Sequence, residues 1–173
     1  MAIAVYPGTF DPVTYGHLDI VKRASLLFDK LIIAIYDSPD KKPLFPLEQR
    51  IELADKAIVN LPNVQVMPFH GLVVDFIHQE DAKVMVRGLR ASSDFEREFE
   101  MALMNKKLAA DIELVCLMTS AKYQFLSSSL IKEVAMLGGS LEGLVPGHVA
   151  VALRECFSPD LNRTSMEGVK QED

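Results

Sequence analysis

The sequence predicts an α/β fold: a doubly wound sheet of five parallel strands with helices on both faces, in a single domain. Three observations point there. Short runs rich in β-branched and apolar residues alternate with longer stretches of helical period. Those runs are nearly continuous in apolar character, the mark of parallel strands covered on both faces. The length of 173 residues is that of one domain, which at this size buries roughly 70% of its unfolded surface and needs no disulfide or metal staple.

The elements follow in order. Strands are predicted over residues 2–6, 31–36, 64–68, 84–86 and 114–118. A helix over 16–28 sets Ile20, Ala24, Leu27 and Phe28 on one stripe, with Thr14 as its cap. A second, over 47–59, follows Pro46, whose fixed φ suits a first turn. A third, over 94–108, brings Phe95, Phe99, Ala102 and Leu103 together at i, i+4, i+7 and i+8. Further helices open near Ser129 and near Pro146. Right-handed strand–helix–strand units of this kind build a Rossmann-like sheet. Residues 1–157 form the domain, and 158–173, polar and without helical period, read as a flexible C-terminal tail.

Composition excludes several classes. Apolar residues make up 49% and charged residues 24%, too apolar a mix for a disordered chain. No apolar run approaches the ~18–20 residues of a membrane span. The opening MAIAVY lacks the basic start and long apolar region of a secretory leader. A net charge of −6 argues against nucleic acid as partner but allows an anionic small ligand at a local basic cluster. Cys116 and Cys156, without a CxxC, fit a reduced cytoplasmic setting, and Cys116 in its apolar run reads as buried and structural. His17, His70, His78 and His148 have no metal-ligand spacing, and P-loop, GxGxxG, HExxH and GxSxG motifs are missing.

In an open parallel sheet, ligands bind beyond the carboxyl ends of the strands where strand order reverses. After the first strand comes YPGTFDPVTYGHL. There Gly8 permits close approach or a positive φ, and His17 falls in the first turn of a helix whose free N–H groups suit phosphate. A capping Thr14 and a packed His17 would be the purely structural reading. After the second strand, Lys41 and Lys42 lie between Pro39 and Pro43, with a solvated loop as the alternative. After the fourth, Arg87 and Arg90 flank Gly88 and Leu89, and guanidinium forks grip phosphates. After the fifth, Ser127, Ser128 and Ser129 open a helix, where capping alone needs one hydroxyl. Anion donors at four strand ends of an acidic chain point to one polyphosphate site.

The same residues carry a resemblance. Thr14-Tyr15-Gly16-His17 fits the T/HxGH signature of the nucleotidyltransferase superfamily. Leu126-Ser127-Ser128-Ser129-Leu130-Ile131-Lys132 is similar to its second signature, ISSSxx(R/K), with Leu126 where Ile is usual. The longer strings YPGTFDPVTYGHLDIV, KKPLF, VRGLRASSDFEREFEMALMN and FLSSSLIKEVA run collinearly from about residue 2 to about residue 157 and resemble the bacterial phosphopantetheine adenylyltransferase family. That resemblance implies transfer of the adenylyl group of ATP to 4′-phosphopantetheine, giving dephospho-coenzyme A and pyrophosphate, the penultimate step of coenzyme A synthesis. It implies Mg²⁺ with ATP, a cytoplasmic homohexamer, and coenzyme A as a candidate inhibitor. A catalytically silent nucleotide-binding module of the same fold is the alternative function.

Site roles come from the resemblance as well. His17 is expected to stabilise the transition state at the α-phosphate, with Lys41 and Arg90 as further catalytic residues. Thr9, Phe10, His17, Gly88, Leu89, Arg90 and Glu98 are expected on the ATP. So are Tyr123, Gln124, Phe125 and Leu126, with Ser127, Ser128 and Ser129. Thr9, Lys41, Leu72, Val73 and Arg87 are expected on phosphopantetheine. A surface charge is the alternative for Glu98, and core packing for Leu72 and Val73. No protein metal ligand is implied.

Overall fold

The computed structural model describes residues 1–38, 42–90 and 92–167, with 92–94, 97 and 158–167 described by backbone alone. Five strands form one sheet: β1 (Ile3–Gly8), β2 (Lys30–Tyr36), β3 (Val64–Phe69), β4 (Val84–Leu89) and β5 (Glu113–Met118). All pairings are parallel, in the order β3-β2-β1-β4-β5. The helices are α1 (Tyr15–Ala24), α2 (Leu47–Ala57), α3 (Val73–Gln79), α4 (Ser92–Leu108), α5 (Ser128–Met136) and α6 (Gly147–Glu167). The chain winds outward from β1 to β3, then returns to the other side of β1 for β4 and β5. The reversal between β1 and β4 opens a crevice beyond their carboxyl ends.

Alternation along the central strands feeds two cores. Ala4 and Tyr6 of β1, with Leu31, Ile33 and Ile35 of β2, face a layer that includes α1, α2, α5 and α6. Val5, Ile32 and Ala34 face the opposite layer, where Val74, Phe76 and Ile77 of α3 pack with Ala109 and Ile112. A strand covered on both faces must be apolar at every position, which is why β2 reads as KLIIAIY. The sheet is doubly wound, as the sequence predicts.

Several expectations need correction. The first helix stops at Ala24 rather than 28. Asn63 Nδ2 donates to the carbonyls of Ser25 and Phe28 at 2.8 and 3.1 Å, tying the turn that follows α1 to the start of β3. Leu27 therefore leaves the core stripe and is exposed. The seven-residue α3 is absent from the sequence reading, since its N-cap Leu72 makes no side-chain cap and so short a run has no legible period. Cys116 is exposed, not buried. It lies on β5, the last strand of the sheet, where Glu113, Cys116 and Met118 are exposed. The stripe of α4 also faces outward, with Phe95, Phe99 and Leu103 all exposed. Finally, α6 runs to Glu167, ten residues into the stretch read as a tail. Extending an existing helix fixes one residue per hydrogen bond and avoids the cost of a new nucleus.

Candidate active site

A cavity of about 740 Å³ opens at the β1/β4 reversal. It is lined from the ends of β1, β2, β4 and β5: Thr9, Phe10 and His17; Lys42 and Pro43; Arg87, Gly88 and Arg90; Thr119, Ser127, Ser128 and Ser129. Glu98 of α4 and Lys132 of α5 complete it. Segments from both ends of the domain's sheet, from Tyr6 to Lys132, thus supply one concave, cation-rich surface at the place where open α/β sheets bind ligands.

The close packing beneath the cavity depends on two glycines. A Cβ at Gly8 would lie 2.9 Å from the Phe10 ring, and one at Gly88 would lie 2.9 Å from Ile20 Cγ1. Neither glycine is in the left-handed region. That conformation falls to Phe10, at φ 47°, whose ring sits edge-on to Tyr6 and against His17. The turn from β1 into α1 is therefore shaped by an aromatic wedge. Tyr6, beneath it, has its phenol pushed up to about 12 by burial, so it stays neutral.

His17 sits at the third residue of α1 and closes a capping box. Its backbone N–H donates to Thr14 Oγ1 at 3.3 Å, and Thr14 N–H donates to His17 Nδ1 at 3.1 Å. Because Nδ1 accepts, the proton of the neutral ring resides on Nε2. Burial, then Arg90 and Arg87, lower the His17 pKa from its ordinary 6.5 to about 4. At neutral pH this imidazole is an uncharged Nε2–H donor among cations. The structural reading of the Thr14/His17 motif is met through Nδ1, and the capping box makes no use of Nε2–H.

The cations are themselves held. Arg87 is gripped by Glu98, with Nε to Oε2 at 2.7 Å and Nη2 to Oε1 at 2.5 Å, while Nη1 donates to Pro7 O at 2.8 Å. Burial opposes the charge on Arg87, but the Glu98 carboxylate outweighs it and raises the pKa above the ordinary value. Arg90 Nη1 donates to Leu126 O at 2.8 Å, tying the end of β4 to the start of α5. Lys132 Nζ meets Asp11 Oδ2 at 2.7 Å. Ser127 is the N-cap of α5, accepting from Leu130 N–H, and Ser128 Oγ donates to Pro12 O at 2.8 Å. One of the three serines thus caps, one braces the first loop, and all three line the cavity.

The structure gathers eleven expected residues at the cavity: Thr9, Phe10, His17, Arg87, Gly88, Arg90, Glu98, Leu126, Ser127, Ser128 and Ser129. Lys41 lies outside the described residues. Leu89 is buried. Tyr123 stacks on Tyr15 at 6.1 Å, Gln124 Nε2 donates to Thr119 O, and Phe125 is exposed; these three do not line the cavity. Leu72 and Val73 stand at the start of α3, away from the lining. Lys42 and Thr14, named from the sequence as an anion donor and in the first signature, join the lining, as do Lys132 and Asp11, which were given no site role. Lys132 ends the second signature, so it had a sequence signal. Asp11 had none. The other histidines are engaged elsewhere: His70 with Asp37, His78 with Asp111, and His148 Nε2 with Leu53 O. Among the described residues no cluster of three or more His, Cys, Asp or Glu side chains could hold a metal, and no helix is long and apolar enough to cross a membrane.

Comparison with known proteins narrows the family. The cytidylyltransferase-like family model matches residues 5–134. The phosphopantetheine adenylyltransferase of Clostridium tetani is 58% identical over 149 residues, covering 86% of this chain and 93% of that protein. The protein of the same name from Carboxydothermus hydrogenoformans is 54% identical over 160 residues, 92% of this chain and 99% of that one. Another, from Synechococcus elongatus, is 52% identical over 160 residues. A solved structure from Vibrio parahaemolyticus, assigned provisionally as a nicotinate-nucleotide adenylyltransferase, superposes with a TM-score of 0.67 over 88% of this chain and 99% of its own. At 17% identity that match speaks to the fold alone. Identity above one half over nearly the whole domain, with both signatures converging on one cavity, places this chain in the phosphopantetheine adenylyltransferase family of cytidylyltransferase-like nucleotidyltransferases.

Proposed function

We propose that this chain transfers the adenylyl group of ATP to 4′-phosphopantetheine, releasing pyrophosphate and giving dephospho-coenzyme A. The names of its relatives supply the acceptor. The site supplies the chemistry. An acceptor phosphate oxygen, already ionised at neutral pH, attacks the α-phosphorus in line. The new P–O bond forms as the bond to the α,β-bridging oxygen breaks, and pyrophosphate leaves with that electron pair. Such a step calls for positioning and charge stabilisation more than for a base.

The observation that carries this reading is the Thr14 N–H bond to His17 Nδ1, which leaves a neutral Nε2–H donor in a cavity lined by Lys42, Arg87, Arg90 and Lys132. His17 donates to an α-phosphate oxygen as charge accumulates there. Arg90, the three serines and the free amides of α5 receive the triphosphate. Arg87, with Lys41 and Lys42, takes the acceptor phosphate. Two N–H groups of Arg87 are left over after Glu98 and Pro7 have taken three, enough for one phosphate fork.

The nucleotide substrate in this reading is ATP with Mg²⁺. The cavity carboxylates Asp11 and Glu98 are each paired with a cation. That donor set fits a metal held by phosphate oxygens and water better than one held in a protein cage. The free thiols suit a reduced, cytoplasmic setting. The exposed apolar side chains of α4 outside the cavity, Phe95, Phe99, Leu103, Met104 and Leu108, support a homo-oligomer, read here as a hexamer. Inhibition by coenzyme A remains part of the same proposal, since the product shares the pantetheine arm and an adenylate.

The decisive assay offers ATP and 4′-phosphopantetheine and follows dephospho-coenzyme A and pyrophosphate. Stoichiometric formation of both is expected, with no turnover of nicotinamide mononucleotide. Absence of product, or preference for the mononucleotide, would overturn the assignment.

A further inference from the structure

Arg50, near the start of α2, is 1% exposed and is not part of the cavity lining. Its guanidinium donates Nε–H to Phe45 O at 3.1 Å, and Nη1 to Thr9 O and to Tyr36 O, each at 2.9 Å. Its ion-pair partner Asp37 is loose, with Oδ1 3.9 Å from Nη2 and the side chain 41% exposed. A cation this deep is costly unless its donors are answered, and here backbone carbonyls from three segments answer them. An apolar side chain of similar volume would fill the same space but leave the carbonyls of Thr9, Tyr36 and Phe45 without this donor, so the guanidinium ties three segments together as well as filling space.

Asp11 works from the other side. It is 4% exposed and accepts the N–H groups of Leu44 and Phe45, each at 2.9 Å, as well as Lys132 Nζ. Phe45 is therefore held by its N–H through Asp11 and by its carbonyl through Arg50. Both braces lead back to residues 9–11. The base of the loop that carries Lys42 is thereby fixed against the loop that carries Thr9 and leads into His17.

We propose that Arg50 is a positioning residue for adenylyl transfer. By holding the carbonyls of Thr9, Tyr36 and Phe45 together it sets the separation of the β1–α1 and β2–α2 loops, and so the approach of the acceptor phosphate to the α-phosphorus. This rests on the reaction assigned under Proposed function. Lysine keeps the charge but cannot reach three carbonyls with a planar fork. Arg50→Lys is expected to keep its far-UV circular dichroism and bind ATP within about threefold of wild type, while kcat falls ~10²-fold with KM for both substrates little changed, as misplacement by about 1 Å predicts. Arg50→Gln, which keeps only an amide NH₂ and loses the charge, is expected to fall at least as far. A folded variant of either kind with near-normal kcat, or with a kcat loss matched by an equal loss of ATP binding, overturns the proposal. If neither variant folds, Arg50 is a folding residue and the proposal fails. If wild type itself forms no dephospho-coenzyme A, it is the underlying reaction that has failed, which the wild-type control reads directly.

Discussion

His17 uses its two ring nitrogens for different ends, and this makes its role separable from its structural part. Nδ1 closes the cap of α1, while Nε2–H carries the phosphate contact proposed above. His17→Ala should lower kcat by ~10² or more with KM for ATP little changed, because the donor acts as charge develops. Steady-state kinetics on the folded variant read this. The same residue leaves a mark on stability. Its pKa falls from the ordinary 6.5 to about 4 on folding, so between those values the unfolded chain binds a proton that the folded chain refuses. The stability from this group is fully present above 6.5 and is lost as pH falls toward 4. Urea unfolding at about pH 7 and about pH 5 should show a smaller loss in His17→Gln than in wild type. Arg87 gives a third residue-level outcome. Arg87→Ala should weaken phosphopantetheine binding while leaving ATP binding largely intact, and calorimetric titration of each ligand separates the two. Thr14, His17, Arg87, Arg90 and the serines were legible because their types and spacing carry chemistry. Arg50 was not, since a charge near the start of a helix reads as a solvated face until the tertiary structure buries it.

At the scale of elements, α1 and β4 meet at Gly88. A methyl group there would lie 2.9 Å from Ile20 Cγ1 and 3.3 Å from Tyr6 Oη, both well inside the core. Gly88→Ala should therefore cost ~1–3 kcal/mol, the range for overpacking a core. It should also displace α1, and with it His17, so activity falls along with the urea midpoint. Sequence signals fixed the starts of elements better than their ends. Thr14 caps α1 and Ser127 caps α5 as their positions suggest, because a cap is a local hydrogen bond. The turn just past α1 is held by Asn63, which is distant in the chain. Nothing near residue 25 announces it.

Over the whole molecule, one face is unfinished. Exposed apolar side chains on α4 and an open β5 edge are more than a lone monomer usually displays. The double variant Phe95→Asp with Phe99→Asp should lower the mass found by sedimentation equilibrium and leave the monomer folded, since both rings are already half exposed. An unchanged mass would remove this face from the assembly. The helical period of α4 was plain in the sequence, but periodicity says which residues share a face and not what that face meets.

The sequence by itself determined the parallel α/β architecture, the two signature segments and the family to which they belong. These are local or collinear properties, encoded by apolar runs, caps and residue type. Only the tertiary structure decided that Glu98 grips Arg87, that Phe10 and not Gly8 takes the positive φ, and that Asp11 and Arg50 brace two loops from within. Each of those is a contact between segments far apart in the chain or a backbone state imposed by packing. A one-dimensional pattern holds no distance between residues 11 and 44, or between 50 and 9; the fold supplies it.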